Sequence, residues 1–365
     1  MWSKSNKFII NTLSSSKRIS LLPSRYYSSN TNITNNNSNN KPLNLSEAIL
    51  NSRLFHQQPS QLVEQKHHQQ QPQFEQKHQP PKQQLHTFSD LNKMEVGDRM
   101  KSYEANQQIL IQKEQPFIIR LDGHGFSKFT AVFKKPWDIR IHNAMIETAT
   151  ELLKTFHPKL VYTFSDEITL CFPFIEDPEK PETQAYAGKV QKLISLTAGF
   201  ASTVFYKSIM NQKYDPEEKK LIERLQTAIP HFDSRIFTLP SNDEIIQNLF
   251  WRSSVDCRRN SVANLGHAHF KPKQMLGVSN REVKELLLTK GIDYDKEPDW
   301  YKFGVYLKKQ SYTLNTVSRY NNEQVSCIRT RISNFSFDIS KLENPMEFLR
   351  EKSLPEDFNL SLRGD

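Results

Sequence analysis

The chain has 365 residues, of which 49 are Lys or Arg and 40 are Asp or Glu, a net charge of +9 that by itself suggests a phosphate-rich partner. Residues 1–94 hold 11 of the basic and 4 of the acidic residues, so residues 95–365, with 38 against 36, are almost neutral. No segment is expected to reach the ~20 apolar residues that span a bilayer, and Cys171, Cys257 and Cys327 form no C-x-x-C pair, which argues against a disulfide framework or a dedicated zinc site.

The first 46 residues contain no Asp or Glu, and their Lys, Arg and Ser residues are interspersed with Trp2, Phe8, Ile9, Ile10, Leu13, Leu21 and Leu22. That composition predicts a mitochondrial transit peptide over 1–28, ending near Arg25-Tyr26-Tyr27-Ser28, and places the protein in the matrix. Residues 29–93 are an Asn/Gln/His-rich tract too polar to offset the entropy of folding, so disorder is predicted there, with a short transient helix over 43–54. His67, His68 and His78 are read as part of the tract's composition and not as metal ligands.

Interpretable periodicity begins near Met94. Phe117-Ile118-Ile119-Arg120-Leu121 reads as a buried strand that stops at Asp122-Gly123-His124-Gly125-Phe126, where two glycines within three positions imply unusual torsions or a close approach. After Pro136, the spacing of Ile141, Met145, Ala149, Leu152 and Phe156 predicts a helix. Leu160–Phe164 and Ile168–Phe174 read as strands joined through Ser165-Asp166-Glu167. A second helix is predicted over 185–206 with Leu193, Leu196, Phe200 and Val204 on its buried side, followed by a strand at Arg235–Leu239.

The order βαββαβ predicts an α+β, ferredoxin-like antiparallel sheet with helices on one face over residues 94–241, followed by a mainly helical C-terminal domain over 242–365. In that arrangement Asp122 and Asp166 can converge, and two carboxylates a few ångströms apart suit oxygen ligation of Mg²⁺. Each acid taken singly is equally compatible with a solvated turn.

The series Arg120-Leu121-Asp122-Gly123-His124-Gly125-Phe126, Lys135-Pro136-Trp137-Asp138-Ile139-Arg140 and Phe164-Ser165-Asp166-Glu167-Ile168 resembles the signatures of the tRNA(His) guanylyltransferase family, enzymes that polymerise nucleotides in the 3′ to 5′ direction. Phe232-Asp233-Ser234-Arg235, Pro240-Ser241, Trp251-Arg252 and Asp256-Cys257 extend the resemblance over about residues 94–310. It implies a polymerase-like palm with two Mg²⁺ ions, Asp122 binding both, the Gly123 carbonyl binding one and Asp166 completing the pair, with Glu167 in the adjacent acidic position. Gly123, His124, Gly125, Phe126 and Ser127 would wrap a triphosphate through backbone N–H groups, with Ser165 and Asp166 at the same site and Lys135 and Lys192 as phosphate partners. ATP and GTP or other nucleoside triphosphates would be substrates, and tRNA the partner of a homotetramer with no membrane association.

Where members that add one guanylate carry His-Ile-Asn-Asn-Leu-Tyr-Asn, this chain has Arg258-Arg259-Asn260-Ser261-Val262-Ala263-Asn264. That is similar to the guanylyltransferase-like subgroup, which adds templated nucleotides to the 5′ end of truncated tRNAs. Arg258, Arg259, Asn260 and Lys302 are the implied RNA contacts, although Phe303 stands where a further basic residue is expected. The implied reaction is nucleotidyl transfer after activation of the RNA 5′ end by ATP, or directly from a 5′-triphosphate. The rival readings are a non-catalytic tRNA-binding protein that kept the palm, and a nucleotide cyclase on the same architecture.

Overall fold

Three of the residues in the run beginning at Phe117, namely Ile118, Ile119 and Leu121, are fully buried, because the strand they form lies inside a six-stranded sheet that is covered along much of both faces. The computed structural model describes residues 93–174, 184–320, 322–358 and 360–363; the leader, the polar tract and the helix expected over 43–54 lie outside the described residues. In chain order the elements are α1 (Val96–Asn106), β1 (Phe117–Gly123), the short α2 (Phe126–Phe129), α3 (Ile139–Phe156), β2 (Leu160–Phe164), β3 (Glu167–Phe172), α4 (Val190–Met210), α5 (Lys219–Thr227) and β4 (Phe232–Thr238). They continue with α6 (Asn242–Phe250), a π-helical turn (Trp251–Cys257), α7 (Arg258–His269), α8 (Pro272–Met275), α9 (Asn280–Leu288), α10 (Asp299–Phe303), β5 (Val305–Val317), β6 (Gln324–Phe335) and α11 (Pro345–Arg350).

The sheet order is β4-β1-β3-β2-β5-β6 with every neighbouring pair antiparallel. The four strands before residue 241 are therefore the expected βαββαβ unit, with β1 between β3 and β4. Beyond its helices, the C-terminal third supplies the hairpin β5–β6, which the sequence reading did not contain. Alternation of side chains divides the sheet. Ile119, Leu121, Val161, Ile168 and Leu170 point to the face carrying α3 and α4, where they meet Met145, Leu152, Leu193 and Phe205. Ile118, Leu160, Tyr162 and Cys171 point to the other face and pack with Tyr306, Phe337, Phe348 and Leu354. A third cluster, centred on Val262, Leu265, Val283 and Leu287, holds α7, α9 and α10 together.

The buried stripe of α4 differs from the expected one by one position. Leu193, Thr197, Ala201, Phe205 and Ile209 face the core, while Leu196 is exposed. Thr197 is tolerated inside because its hydroxyl bonds to the Leu193 carbonyl at 2.8 Å and to Ser234 Oγ at 2.9 Å. Contrary to expectation, α4 is long and apolar enough by length and composition to cross a membrane; here its buried stripe packs on α3 and β4.

Helix α3 starts at Asp138, whose side chain accepts from the Arg140 backbone N–H at 3.0 Å and from the Lys134 N–H at 3.1 Å. The Arg140 guanidinium bridges Asp138 to Glu218, at 2.7 and 2.6 Å. Burial pushes the Asp138 carboxyl up, but these hydrogen bonds prevail and hold it below its ordinary 3.8. A carboxylate with a depressed value contributes stability above its ordinary pKa and loses it as pH falls through the depressed one. Asp138→Ala is expected to lower the urea-unfolding free energy at pH 7 by about 2 kcal/mol. The difference from wild type should shrink below pH 3.8, and denaturation series at pH 7 and pH 3 check both parts.

Candidate active site

The register of β1 against its two neighbours builds the site. Asp122 pairs with Glu167 on β3 and with Asp233 on β4, and residues paired in antiparallel register share a face, so three carboxylates stand in a row across the strand ends. Arginines intercalate with this row. Arg235 Nη2 lies 3.1 Å from Asp233 and 3.6 Å from Asp122, and Arg252 Nη1 lies 3.0 Å from Glu167 and 3.1 Å from Asp256. Arg120 occupies the next position along β1, opposite Arg235.

Glu167 is the first residue of β3 and not part of the turn, a correction to the sequence reading. The turn is only Ser165-Asp166, with Ser165 at φ 54°, a left-handed torsion that a non-glycine residue holds at a cost and that raises the Asp166 side chain at the tip. Ser165 Oγ donates to Asp166 Oδ1 at 3.1 Å. The Gly123 N–H donates to the Asp166 carbonyl at 3.0 Å and ties the end of β1 to the tip. Asp122 and Asp166 are thus brought together as the sequence implied. Burial pushes the Asp166 carboxyl above its ordinary value, against the Ser165 hydrogen bond and with repulsion from Asp122. Burial likewise pushes Glu167 up to about 7, opposed by Arg120 and reinforced by Asp122, Asp256 and Asp166.

The two glycines serve different ends. Gly125 has φ 67° with open space where a Cβ would stand, so its requirement is torsional. A Cβ on Gly123 would run into the Phe126 ring, which is buried among Phe129, Phe205 and Phe232. The N–H groups of Gly123 and His124 are already committed, to the carbonyls of Asp166 and His231 at 3.0 and 2.8 Å. The N–H groups of Phe126 and Ser127, by contrast, open the short helix α2 and have no partner within it. The His124 ring stacks on His231 at 5.0 Å.

A cleft of about 460 Å³ adjoins the hairpin tip, lined among others by Ser127, Lys135, Trp137, Asp166, Asn264 and Trp300. His142 on its wall lies against Trp300, ring centres 4.0 Å apart and tilted by 34°, and burial pulls its pKa down to about 4. Lys135 lines this cleft, but Lys192 does not. It sits in the first turn of α4, ten residues or about 15 Å along the axis from Ser202, which accepts from the Phe232 N–H beside Gly123.

The RNA-contact candidates are unequal. Asn260 is exposed on α7. Arg259 pairs with Asp256, and Arg258 approaches Asp338 at 3.6 Å. Lys302 is turned inward to Asp299 at 3.1 Å and to the Asp295 carbonyl at 2.8 Å, with 13% of its side chain exposed, so its ammonium closes a local turn. Arg120, Asp233, Arg235 and Arg252 are site residues to which the sequence reading gave no role; for the first three the signal is two-residue alternation carrying charge to one face, while Arg252 arrives from the π-helical turn.

Residues 97–240 match the tRNAHis guanylyltransferase (Thg1) family model. An uncharacterized protein of Acanthamoeba polyphaga mimivirus is 31% identical over 267 residues, 70% of this chain and 89% of that protein. The tRNA(His) guanylyltransferase of Schizosaccharomyces pombe is 29% identical over 219 residues, 56% of this chain and 77% of that enzyme. Two solved structures of a bacterial tRNA(His) guanylyltransferase (Thg1)-like protein are also similar. The one in complex with ATP has 28% identity and a TM-score of 0.56 over 71% of this chain and 100% of that one; the one with GTP has 26% and 0.52 over 70% and 99%. The α+β fold is that of the polymerase-like palm, and the chain belongs to the tRNA(His) guanylyltransferase family of nucleotidyltransferases.

Proposed function

We propose that this chain adds nucleotides to the 5′ end of mitochondrial tRNA in the 3′ to 5′ direction, selected by pairing with the opposite strand. The observation that carries the reading is the convergence of Asp122 and Asp166, fastened by the Gly123–Asp166 hydrogen bond, beside a cleft of nucleotide size. ATP and GTP, bound by the bacterial relatives, are the expected nucleotides, and the acid-free leader supports the matrix as the compartment.

Among the described residues no group of three or more His, Cys, Asp or Glu side chains converges as a metal cluster. The carboxylate pair still fits Mg²⁺: both donors are hard oxygens, and the repulsion that helps raise Asp166 is what a divalent cation would relieve. Asp122, Asp166 and the Gly123 carbonyl would hold two such ions, which when bound neutralise phosphate charge and make an attacking hydroxyl more acidic. The chain's own residues position the reactants. Phe126 and Ser127 offer N–H groups to the triphosphate, Lys135 adds charge at the cleft, and Arg252 holds Glu167 in place at 3.0 Å. Activation of the RNA 5′ end by ATP, or use of an existing 5′-triphosphate, precedes transfer. The biological task is 5′ repair of several tRNAs or one guanylate on tRNA(His).

Incubation with labelled nucleotide and a 5′-truncated tRNA should give elongated RNA; no product, or a cyclic nucleotide, would sink the reading. Asp122→Asn and Asp166→Asn should each lower extension by at least about a hundredfold. The sign for stability is opposite. Because Asp166 is raised in the folded state, its ionised form is disfavoured there at pH 7, so Asp166→Asn should raise the melting temperature of the metal-free protein. Mg²⁺ should then raise the wild-type melting temperature but not that of either variant.

Gly125→Ala should cost about 1–2 kcal/mol of stability for its left-handed torsion and raise the nucleotide KM. Gly125→Asn should be milder, since Asn tolerates that region better. Melting curves and initial rates on the same preparations test this.

A further inference from the structure

Trp251 opens the π-helical turn with 46% of its surface exposed, in a site otherwise built of charged and half-buried groups. One face of its ring is covered by the Arg252 guanidinium at 4.4 Å. Arg252, itself only 8% exposed, is fixed by Glu167 at 3.0 Å and Asp256 at 3.1 Å. A single guanidinium thus separates the indole from the carboxylate row, and the orientation of the ring is set by a buried ion pair.

The π-helical turn is a second, independent observation. Such widened turns cost hydrogen-bond geometry and are enriched at functional sites. Here Ser253 Oγ donates to the Phe303 carbonyl at 2.8 Å and Cys257 Sγ to the Lys302 carbonyl at 3.3 Å, stapling the inner side of the turn to α10. Trp251 and Val255, one turn apart, are left outside. Trp251 does not line the cleft, whose wall carries its own aromatic residues, Trp137 and Trp300.

We propose that Trp251 is a stacking platform for a nucleobase of the RNA end being extended, distinct from the cleft that takes the incoming nucleotide. The assignment rests on the reaction proposed above and adds to it the element that holds the RNA end. An aromatic face backed by a cation, next to the acids where the 5′ end must react, suits any of the four bases, as templated addition requires. Every base offers a π-face, and stacking is sequence-tolerant.

The test uses the full chain and a tRNA lacking its first 5′ nucleotide, with 2-aminopurine at the nucleotide of the 3′ strand left unpaired. Binding to Asp122→Asn protein, measured without turnover, should quench the fluorophore. Adding Trp251→Ala should abolish the extra quenching and weaken RNA affinity about five- to hundredfold, whereas Trp251→Phe should preserve both. In otherwise wild-type enzyme, Trp251→Ala should raise the KM for tRNA and leave that for nucleotide unchanged. Unaltered quenching and affinity in Trp251→Ala would overturn the assignment alone. So would a change confined to the nucleotide KM, or a loss of binding that sedimentation traces to an altered oligomeric state. Failure of Trp251-intact protein to bind the tRNA would overturn the assignment together with the functional reading.

Discussion

Asp122 stands between Glu167 and Asp233 because β1 is held in one register against both neighbours, and that register is set on the opposite face of the sheet. Ile119 and Leu121 point into the core under α3 and α4, together with Ile168 and Leu170 of β3 and Phe232 of β4. A slip of one residue would exchange the faces, sending Asp122 into that core and Leu121 out. Removing the two leucine and isoleucine side chains from the core costs about 1.5–3 kcal/mol each, and burying the carboxylate unpaired costs several more. The apolar side therefore enforces a row of like charges that the polar side alone would disperse.

The same constraint explains what was legible. Buried strands and the α3 helix could be read because apolar spacing reports core facing directly, and the prediction that Asp122 meets Asp166 followed from topology alone. Glu167 was assigned to the turn because residues adjacent to a two-residue loop carry no mark of which side they fall on; pairing with Asp122 and Phe164 decides it. The stripe of α4 was displaced because Thr197 reads as polar in sequence and becomes a core residue only once Ser234 is opposite it. Lys192 lies one residue before Leu193, yet nothing in that spacing tells which end of the helix lies near the glycine loop. The hairpin β5–β6 went unread because most of its outer length is exposed and lacks the apolar alternation that marks a half-buried strand.

The C-terminal third does more than extend the sheet. Tyr162 on β2 donates to the Phe303 carbonyl at 3.0 Å, the π-helical turn grips the same carbonyl through Ser253, and a Cβ on Gly304 would strike the Tyr162 ring. These contacts fix the turn relative to β2 and β3, and so deliver Arg252 to Glu167 from outside the palm. The site is therefore completed by residues from both sides of position 241, with the helical segment supplying the countercharge for an acid that β3 places.

That arrangement bears on how a nearly neutral core handles polyanions. The arginines nearest the carboxylates are engaged: Arg235 with Asp233 and Asp122, Arg252 with Glu167 and Asp256, Arg140 with Asp138 and Glu218. Lys302 and Arg259 are also paired. The positive excess of the whole sequence belongs largely to residues 1–94. On the proposed function, phosphate charge would be met by a few local groups, such as Lys135, and by cations at the Asp122–Asp166 pair. On that proposal, an interface built this way would release few counterions, and its affinity would depend more on divalent cation and on stacking than on bulk salt.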